Sequence, residues 1–164
     1  MELLQKEVPL SHRAYRFEDR EACLAVFASN VPRFFHDGEA QAFAGFLDGE
    51  AERYRVVLEG EAIVGCGGFA LSDDGRQASL CWGMLRRDRH GQGIGAQLLR
   101  ARLQAIATTP AVSVRLVTSQ HTAGFYRRFG FEVQSVKTDG IAPGLDAVEM
   151  RLSLKRVRSD TRAT

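Results

Sequence analysis

Three glycines fall within five residues at the start of one helical pattern. They occupy positions 91, 93 and 95 in the stretch RHGQGIGAQLL, which spans residues 89–99. Glycine loses more conformational freedom on folding than any other residue, so an ordinary loop seldom contains three so close together. Either the turn requires backbone dihedrals that other residues avoid, or a ligand approaches the backbone so closely that side chains would block it.

The residues after these glycines predict a helix, with an apolar stripe formed by Ile94, Leu98, Leu99, Leu103 and Ile106. The first turn of this helix is a natural site for an anion. The first four N–H groups of a helix lack intrahelical partners, and the helix dipole makes that end electropositive. Without β-carbons nearby, a phosphate can sit directly on these donors. Arg86, Arg87 and Arg89 lie just upstream. A turn without a ligand usually needs only one glycine, so the pattern favours a phosphate site.

Two common phosphate-binding motifs fit this loop poorly. Gly91, Gly93 and Ala96 satisfy the relaxed dinucleotide fingerprint, but no Asp or Glu occurs between residues 89 and 131 to hold a ribose. A P-loop requires a lysine followed by Ser or Thr, and the loop contains no lysine. A nucleotide-binding domain therefore stays as a weakened alternative.

Composition limits the possible partners and compartment. The net charge of +2 gives no argument for a nucleic-acid partner. The longest apolar run, residues 62–71, is too short and too rich in glycine to cross a bilayer, and the first residues lack a signal-peptide core. We therefore expect a cytoplasmic protein without membrane partners. Three cysteines, far apart and without a CxxC pair, predict neither a disulfide framework nor a metal site.

Hydrophobic periodicity predicts one domain of mixed α/β type. The expected order is β-α-α-β-β-β-α-β-α-β-β, which packs as a mixed sheet flanked by helices, with a parallel pair across the glycine-started helix. We expect the domain to cover residues 1–154 and a basic, solvated tail to cover residues 155–164. Exposed terminal strands could pair two subunits into a homodimer.

Two segments carry a resemblance to a known family. HGQGIGAQLL resembles the Q/R-x-x-G-x-G/A loop of the GCN5-related N-acetyltransferases (GNAT family), and HTAGFYRRFGF, residues 121–131, resembles their second signature, a helix with a Tyr shortly before the Gly-Phe that opens a strand. The spacing of the two segments and the order of elements fit over nearly the whole chain. The resemblance implies an α+β fold, with a mostly antiparallel sheet of about seven strands, splayed in its middle and flanked by about four helices.

The resemblance also implies acetyl-CoA as cosubstrate, without a metal, bound through its pyrophosphate at the glycine loop. His90 stands where the family usually has Gln or Arg, and Ser119 stands where an Asn commonly contacts the pantetheine arm. The implied coenzyme-binding residues are Met84, Leu85, His90, Gly91, Gln92, Gly93, Ile94, Gly95, Ala96, Ser119 and Tyr126.

By resemblance, two groups perform the chemistry of direct acetyl transfer to a primary amine of a small molecule or protein. The backbone N–H of Leu85, where the strand is expected to splay or bulge, would donate to the thioester carbonyl. Tyr126 would be the general acid, since a phenol stays protonated at neutral pH and can return a proton to the CoA thiolate. The neighbouring strands contain no carboxylate, so deprotonation runs through a water chain or a group from elsewhere, such as His36.

The acceptor is expected to enter beside the connection NVPRFFH, residues 30–36. Phe34 and Phe35 are candidate walls of its pocket, although adjacent aromatics after a helix are often core residues. Arg33 could pair with a carboxylate on the acceptor, and His36 completes this candidate set.

Two other functions compete with direct transfer. A nucleophilic Cys81, activated by His90 or His121, would give ping-pong transfer, but its apolar surroundings raise a thiol pKa and disfavour that role. A chain that kept the fold without turnover would be a non-catalytic CoA-binding or regulatory module.

Overall fold

The computed structural model describes residues 9–154, so the expected basic tail at 155–164 lies outside the described residues. The strands are β1 (Leu10–Ala14), β2 (Tyr54–Glu59), β3 (Ala62–Leu71), β4 (Gln77–Leu85), β5 (Ser113–Thr118), β6 (Glu132–Ala142) and β7 (Leu145–Ser153). The α-helices are α1 (Arg20–Ser29), α2 (Ala40–Gly49), α3 (Ile94–Ala107) and α4 (Ala123–Arg127). The predicted order of elements is confirmed across this part of the chain.

The strands form one seven-stranded sheet in the order β1-β2-β3-β4-β5-β7-β6. β4 and β5 are parallel, joined by the crossover through α3, whereas β1–β2, β2–β3, β5–β7 and β6–β7 are antiparallel. The predicted mixed, mostly antiparallel sheet is therefore confirmed. The parallel pairing includes Gln77↔Ser113, Ala78↔Val114 and Ser79↔Arg115.

Residue contacts divide the described chain into two compact units. Residues 9–70 and 80–105 form the first unit, and residues 71–79 and 106–154 form the second. The prediction of a single domain stays a prediction. Between residues 9 and 154, no helix combines the length and the apolar character needed to cross a lipid bilayer.

The first unit has apolar clusters on both faces of its strands. One cluster joins the inner sides of α1 and α2 to the sheet, with Phe27, Phe43 and Tyr54 at its centre. The other joins Val57 and Val64 to Ile94 and Leu98 of α3. The apolar stripe predicted for α3 thus packs on the sheet, and it fixes the position of the helix that the glycine loop begins.

One buried residue of α3 is not apolar. Arg102 is 3% exposed, and its guanidinium lies against the backbones of Gly67 and Gly83, where an added β-carbon would come within 3.3 Å and 2.8 Å of it. Its Nη1 reaches the carbonyl of Gly68 only at 3.5 Å. Glycines in two neighbouring strands therefore make room for this side chain.

The second unit is built on β5, β6 and β7. Val114 and Leu116 of β5 and Val148 and Met150 of β7 are buried. β6 runs to Ala142, because its pairing with β7 resumes at Ala142↔Leu145 after an irregularity. β6 stands at the edge of the sheet.

Candidate functional site

The glycine loop combines unusual backbone conformations with open space. Gly91 and Gly93 have φ values of +76° and +81°, in the left-handed region that disfavours side chains. A β-carbon added at either position would meet nothing within 4 Å. Gly95 differs, because it is the second residue of α3. Backbone conformation therefore accounts for Gly91 and Gly93, and Gly95 lies in the first turn of the helix.

The tip of α3 presents amide donors in a fixed position. The hydrogen bond from Gln97 N–H to the Gly93 carbonyl, at 3.3 Å, closes the first helical turn. The N–H groups of Ile94, Gly95 and Ala96 come before it and belong to the donors that a helix leaves without intrahelical partners. The buried Ile94 side chain packs in one apolar cluster with Val57 of β2 and Val64 of β3, which anchors the tip. This geometry fits a pyrophosphate.

The arginines upstream of the loop have partners of their own. Arg86 Nε donates to Asp88 at 2.6 Å, and Arg89 Nη2 donates to Glu59 at 2.8 Å. The guanidinium of Arg87 instead lies 4.8 Å from the centre of the Phe34 ring. The expected reinforcement of the anion site by all three arginines is therefore reduced, because acidic side chains neutralise two of them.

The end of β4 holds the Leu85 peptide in a defined orientation. Arg86 N–H donates to the Val64 carbonyl of β3 at 2.7 Å. Because successive residues of a strand direct their backbone groups to opposite edges, the N–H and carbonyl of Leu85 point away from β3. The Leu85 carbonyl accepts a hydrogen bond from Asn30 Nδ2 at 2.7 Å.

An unusual backbone conformation lies three residues before Leu85. Trp82 has a φ of +47°, a conformation that a bulky residue rarely adopts. The hydroxyl of buried Tyr54 donates to the Trp82 carbonyl at 2.6 Å and supports this backbone. A tryptophan gives no sequence signal for such a conformation, so the sequence could not locate it.

Asn30 and Ser29 contact the candidate site, and sequence reasoning missed both. Asn30, at the end of α1, is 1% exposed, and Ser29 Oγ accepts a hydrogen bond from Arg87 N–H at 3.0 Å. Both contacts tie α1 to the segment that follows β4. Asn is common at helix ends, so its position indicated only a helix terminus.

His90 also contacts the Leu85 peptide. Its Nε2 lies 3.0 Å from the Leu85 carbonyl, and its ring centre lies 5.0 Å from that of Phe34. Because a carbonyl can only accept, Nε2 carries the proton in this arrangement. The histidine therefore contacts both the Leu85 carbonyl and the Phe34 ring, and its Nε2–H group is used in the hydrogen bond to Leu85.

The four predicted acceptor residues do not form one wall. Arg33 is exposed beside Phe34, with its guanidinium 5.6 Å from the ring centre. Phe35 packs in the core, 5.1 Å from Phe27 between ring centres. His36 caps a turn, since its Nδ1 accepts from Gly38 N–H at 2.9 Å. Phe34 lies beside His90, and Arg33 lies beside Phe34.

The other two predicted coenzyme residues lie in the second unit. Ser119 is 3% exposed, and its Oγ accepts from His121 N–H at 3.3 Å just before α4. Tyr126, on α4, is half-buried, with its ring edge-to-face against Phe125 and Phe131 at 5.1 Å and 5.7 Å. These aromatic contacts restrict the direction in which the phenol points.

The alternative nucleophile is poorly suited to its role. Burial raises the pKa of the Cys81 thiol to about 11, although the nearby charge of Arg102 opposes this rise. The thiol is therefore protonated at neutral pH, and the thiolate is the nucleophilic form. Within residues 9–154, no group of three or more His, Cys, Asp or Glu side chains could hold a metal ion.

Comparison with protein families decides the assignment of the fold. The family model described as an acetyltransferase (GNAT) domain matches residues 21–154. The chain belongs to the GNAT family. Its fold is the α+β fold of that family, and family members are acetyltransferases. No curated protein matches the chain.

Solved GNAT structures share this fold at low sequence identity. A putative acetyltransferase of the GNAT family from Desulfovibrio desulfuricans is 22% identical, with 88% of this chain and 99% of that chain covered and a TM-score of 0.74. The ribosomal-protein-S18-alanine N-acetyltransferase from Escherichia coli is 17% identical over 93% and 98%, with a TM-score of 0.73. Arabidopsis thaliana Naa50, in complex with the bisubstrate analogue CoA-Ac-MVNAL, is 16% identical over 88% and 99%, with a TM-score of 0.70.

Proposed function

We propose that this GNAT chain is an acetyl-CoA-dependent N-acetyltransferase that moves the acetyl group directly to a primary amine of a small molecule or protein. The observation that carries the proposal is the open glycine loop at the anchored tip of α3. The Escherichia coli relative is named for a protein alanine, and the Arabidopsis structure contains a CoA–peptide analogue. These names support acetyl-CoA as cosubstrate and an amine as acceptor.

The coenzyme supplies an acetyl thioester, and the residues of the loop position it. In the proposal, the amides of Ile94, Gly95 and Ala96 donate to the pyrophosphate. Gly91, Gln92 and Gly93 are exposed and leave the approach clear. Met84 is 6% exposed and its side chain packs in the core, so it contributes through its backbone.

The backbone N–H of Leu85 is proposed to stabilise the negative charge that develops on the thioester oxygen. The hydrogen bond from Asn30 fixes the orientation of the Leu85 peptide before substrate arrives. Preorganised donors act without reorganisation cost, and one such donor is worth about 10²–10³ in rate in other enzymes.

Tyr126 is proposed to complete the transfer. The amine nitrogen attacks the carbonyl carbon, the carbon–sulfur bond breaks, and the Tyr126 phenol gives its proton to the departing thiolate. β4 and β5 contain no Asp or Glu, so the proton lost by the amine passes to water or to a group outside these two strands. The high pKa of Cys81 supports this direct route over an acyl-enzyme.

A non-catalytic CoA-binding or regulatory module is the second candidate. It is favoured by the lack of carboxylates in β4 and β5 and by the engagement of His90 with Leu85 and Phe34. Both candidates bind acetyl-CoA, and only the enzyme releases CoA when an amine is added.

CoA release with a panel of amines tests the proposal. We expect turnover with at least one amine, and Tyr126→Phe should lower kcat about 100-fold or more with little change in KM for acetyl-CoA. Tyr15→Phe is the matched control, since the Tyr15 hydroxyl is buried and has no hydrogen-bond partner among residues 9–154. Coenzyme binding without turnover on any amine would support the regulatory module. If Cys81→Ala abolished activity while Tyr126→Phe kept it, transfer through an acyl-enzyme at Cys81 would replace direct transfer as the mechanism.

A further inference from the structure

Two exposed arginines share one aromatic ring at the edge of the Leu85 site. Arg33 and Arg87 come from different segments, the α1–α2 connection and the turn after β4. Their guanidinium carbons lie 5.6 Å and 4.8 Å from the centre of the Phe34 ring. Contact with a ring face restrains a guanidinium, and its N–H edge stays available to an anion.

Neither arginine has an acidic partner within the described residues, whereas their neighbours do. Arg86 pairs with Asp88, and Arg89 pairs with Glu59. Among residues 9–154, the structure records no ion pair between Arg33 and Asp37, which lies on the same connection. Because Asp88 and Glu59 pair with other arginines, their charges do not neutralise Arg33 and Arg87.

A short series of contacts places these arginines near the reacting position. His90 contacts both the Leu85 carbonyl, at 3.0 Å, and the Phe34 ring, at 5.0 Å between ring centres. The backbone of Arg87 is bonded to Ser29 Oγ. The two guanidinium groups are therefore separated from the Leu85 peptide by little more than the His90 and Phe34 rings.

We propose that Arg33 and Arg87 bind an anionic group of the acceptor, so that the preferred acceptor is a small primary amine that also carries a carboxylate or phosphonate. This inference rests on the proposed function. A guanidinium matches the planar geometry of a carboxylate and the oxygens of a phosphonate through paired hydrogen bonds. An acceptor held at its anionic end by these groups directs its amine toward the Leu85 peptide.

Matched acceptors test the inference. We expect kcat/KM for an α-amino acid or an aminoalkylphosphonate to exceed that for the corresponding neutral amide or a diamine by about tenfold or more. Arg33→Gln and Arg87→Gln should each reduce this ratio toward one. Arg53→Gln is the matched control, because Arg53 is also exposed over a phenylalanine, Phe69, at 5.9 Å. Arg53→Gln should leave the ratio of the two kcat/KM values unchanged.

A second arm separates the acceptor from the other source of anions, the 3′-phosphate of the coenzyme. KM is measured for acetyl-CoA and for acetyl-dephospho-CoA. If Arg33→Gln or Arg87→Gln raised KM for acetyl-CoA but not for acetyl-dephospho-CoA, the arginines would bind the 3′-phosphate of the coenzyme. The inference would then be wrong. Turnover without preference for anionic amines would overturn the inference and leave the transferase proposal intact. Absence of turnover on every amine would overturn both.

Discussion

The Leu85 peptide shows how single residues prepare the site. The resemblance predicted Leu85, but the residue that holds it, Asn30, is 55 positions away in sequence and donates at 2.7 Å. The neighbouring residues Phe34 and Phe35 are a second example. They are identical in chemistry, yet one lies beside His90 and the other packs on Phe27. Such assignments depend on tertiary contacts that no local pattern encodes.

A second residue-scale contact gives a prediction for stability. Asp19 is nearly buried, accepts two hydrogen bonds from the Arg13 guanidinium at 2.7 Å and 2.9 Å, and accepts a third from Arg16 N–H. The Arg13 guanidinium holds the pKa of this carboxyl below its ordinary value. We expect Asp19→Asn to lower the free energy of unfolding by about 2 kcal/mol at pH 7.

The pH dependence of this loss has a definite sign. Because the pKa of Asp19 is lower in the folded than in the unfolded protein, its stabilisation is present above the unfolded pKa of about 3.9 and is lost as pH falls through the folded pKa. Urea unfolding of both proteins should therefore show a difference at pH 7 that shrinks below about pH 4. The control Asp48→Asn breaks a half-exposed pair with Arg20 and should cost much less stability, because exposed ion pairs contribute little. An undiminished difference at pH 2 would contradict the assignment.

At the scale of elements, α3 has an apolar face that the sequence predicted and a buried arginine that it did not predict. The apolar spacing predicted the helix and its buried face, including Ile94 and Leu98. The same spacing gave no sign that Arg102 would be buried, because arginine at a helical position is normally exposed. Its place depends on Gly67 and Gly83 in two other strands, which a pattern confined to one helix does not contain.

The glycine loop makes a prediction at this scale. Gly93 and Gly144 have nearly equal φ values, +81° and +79°, and a β-carbon added at either would meet nothing within 4 Å. Alanine in the left-handed region costs about 1–2 kcal/mol, so Gly93→Ala and Gly144→Ala should lose similar stability. Only Gly93→Ala should also raise KM for acetyl-CoA, by about tenfold or more, because it disturbs the amides of the α3 tip. Equal KM values for the two variants would argue against the loop as the pyrophosphate site.

At the scale of the whole molecule, hydrophobic periodicity and two sequence motifs were enough to predict the fold. The alternation of strands and helices predicted the order of elements, and the crossover through α3 predicted the parallel pair β4–β5. The left-handed Trp82 and the contacts of α1 with the Leu85 peptide were not predictable. They arise where separate elements meet, and hydrophobic periodicity describes each element alone.

The central claim is that amide hydrogens at the tip of α3 hold the pyrophosphate of acetyl-CoA. Titration of ¹⁵N-labelled protein with acetyl-CoA, followed by backbone amide NMR, tests it most directly. We predict that the amides of Ile94, Gly95 and Ala96 show the largest saturable shifts. Saturable binding that leaves these three amides unmoved would contradict the claim.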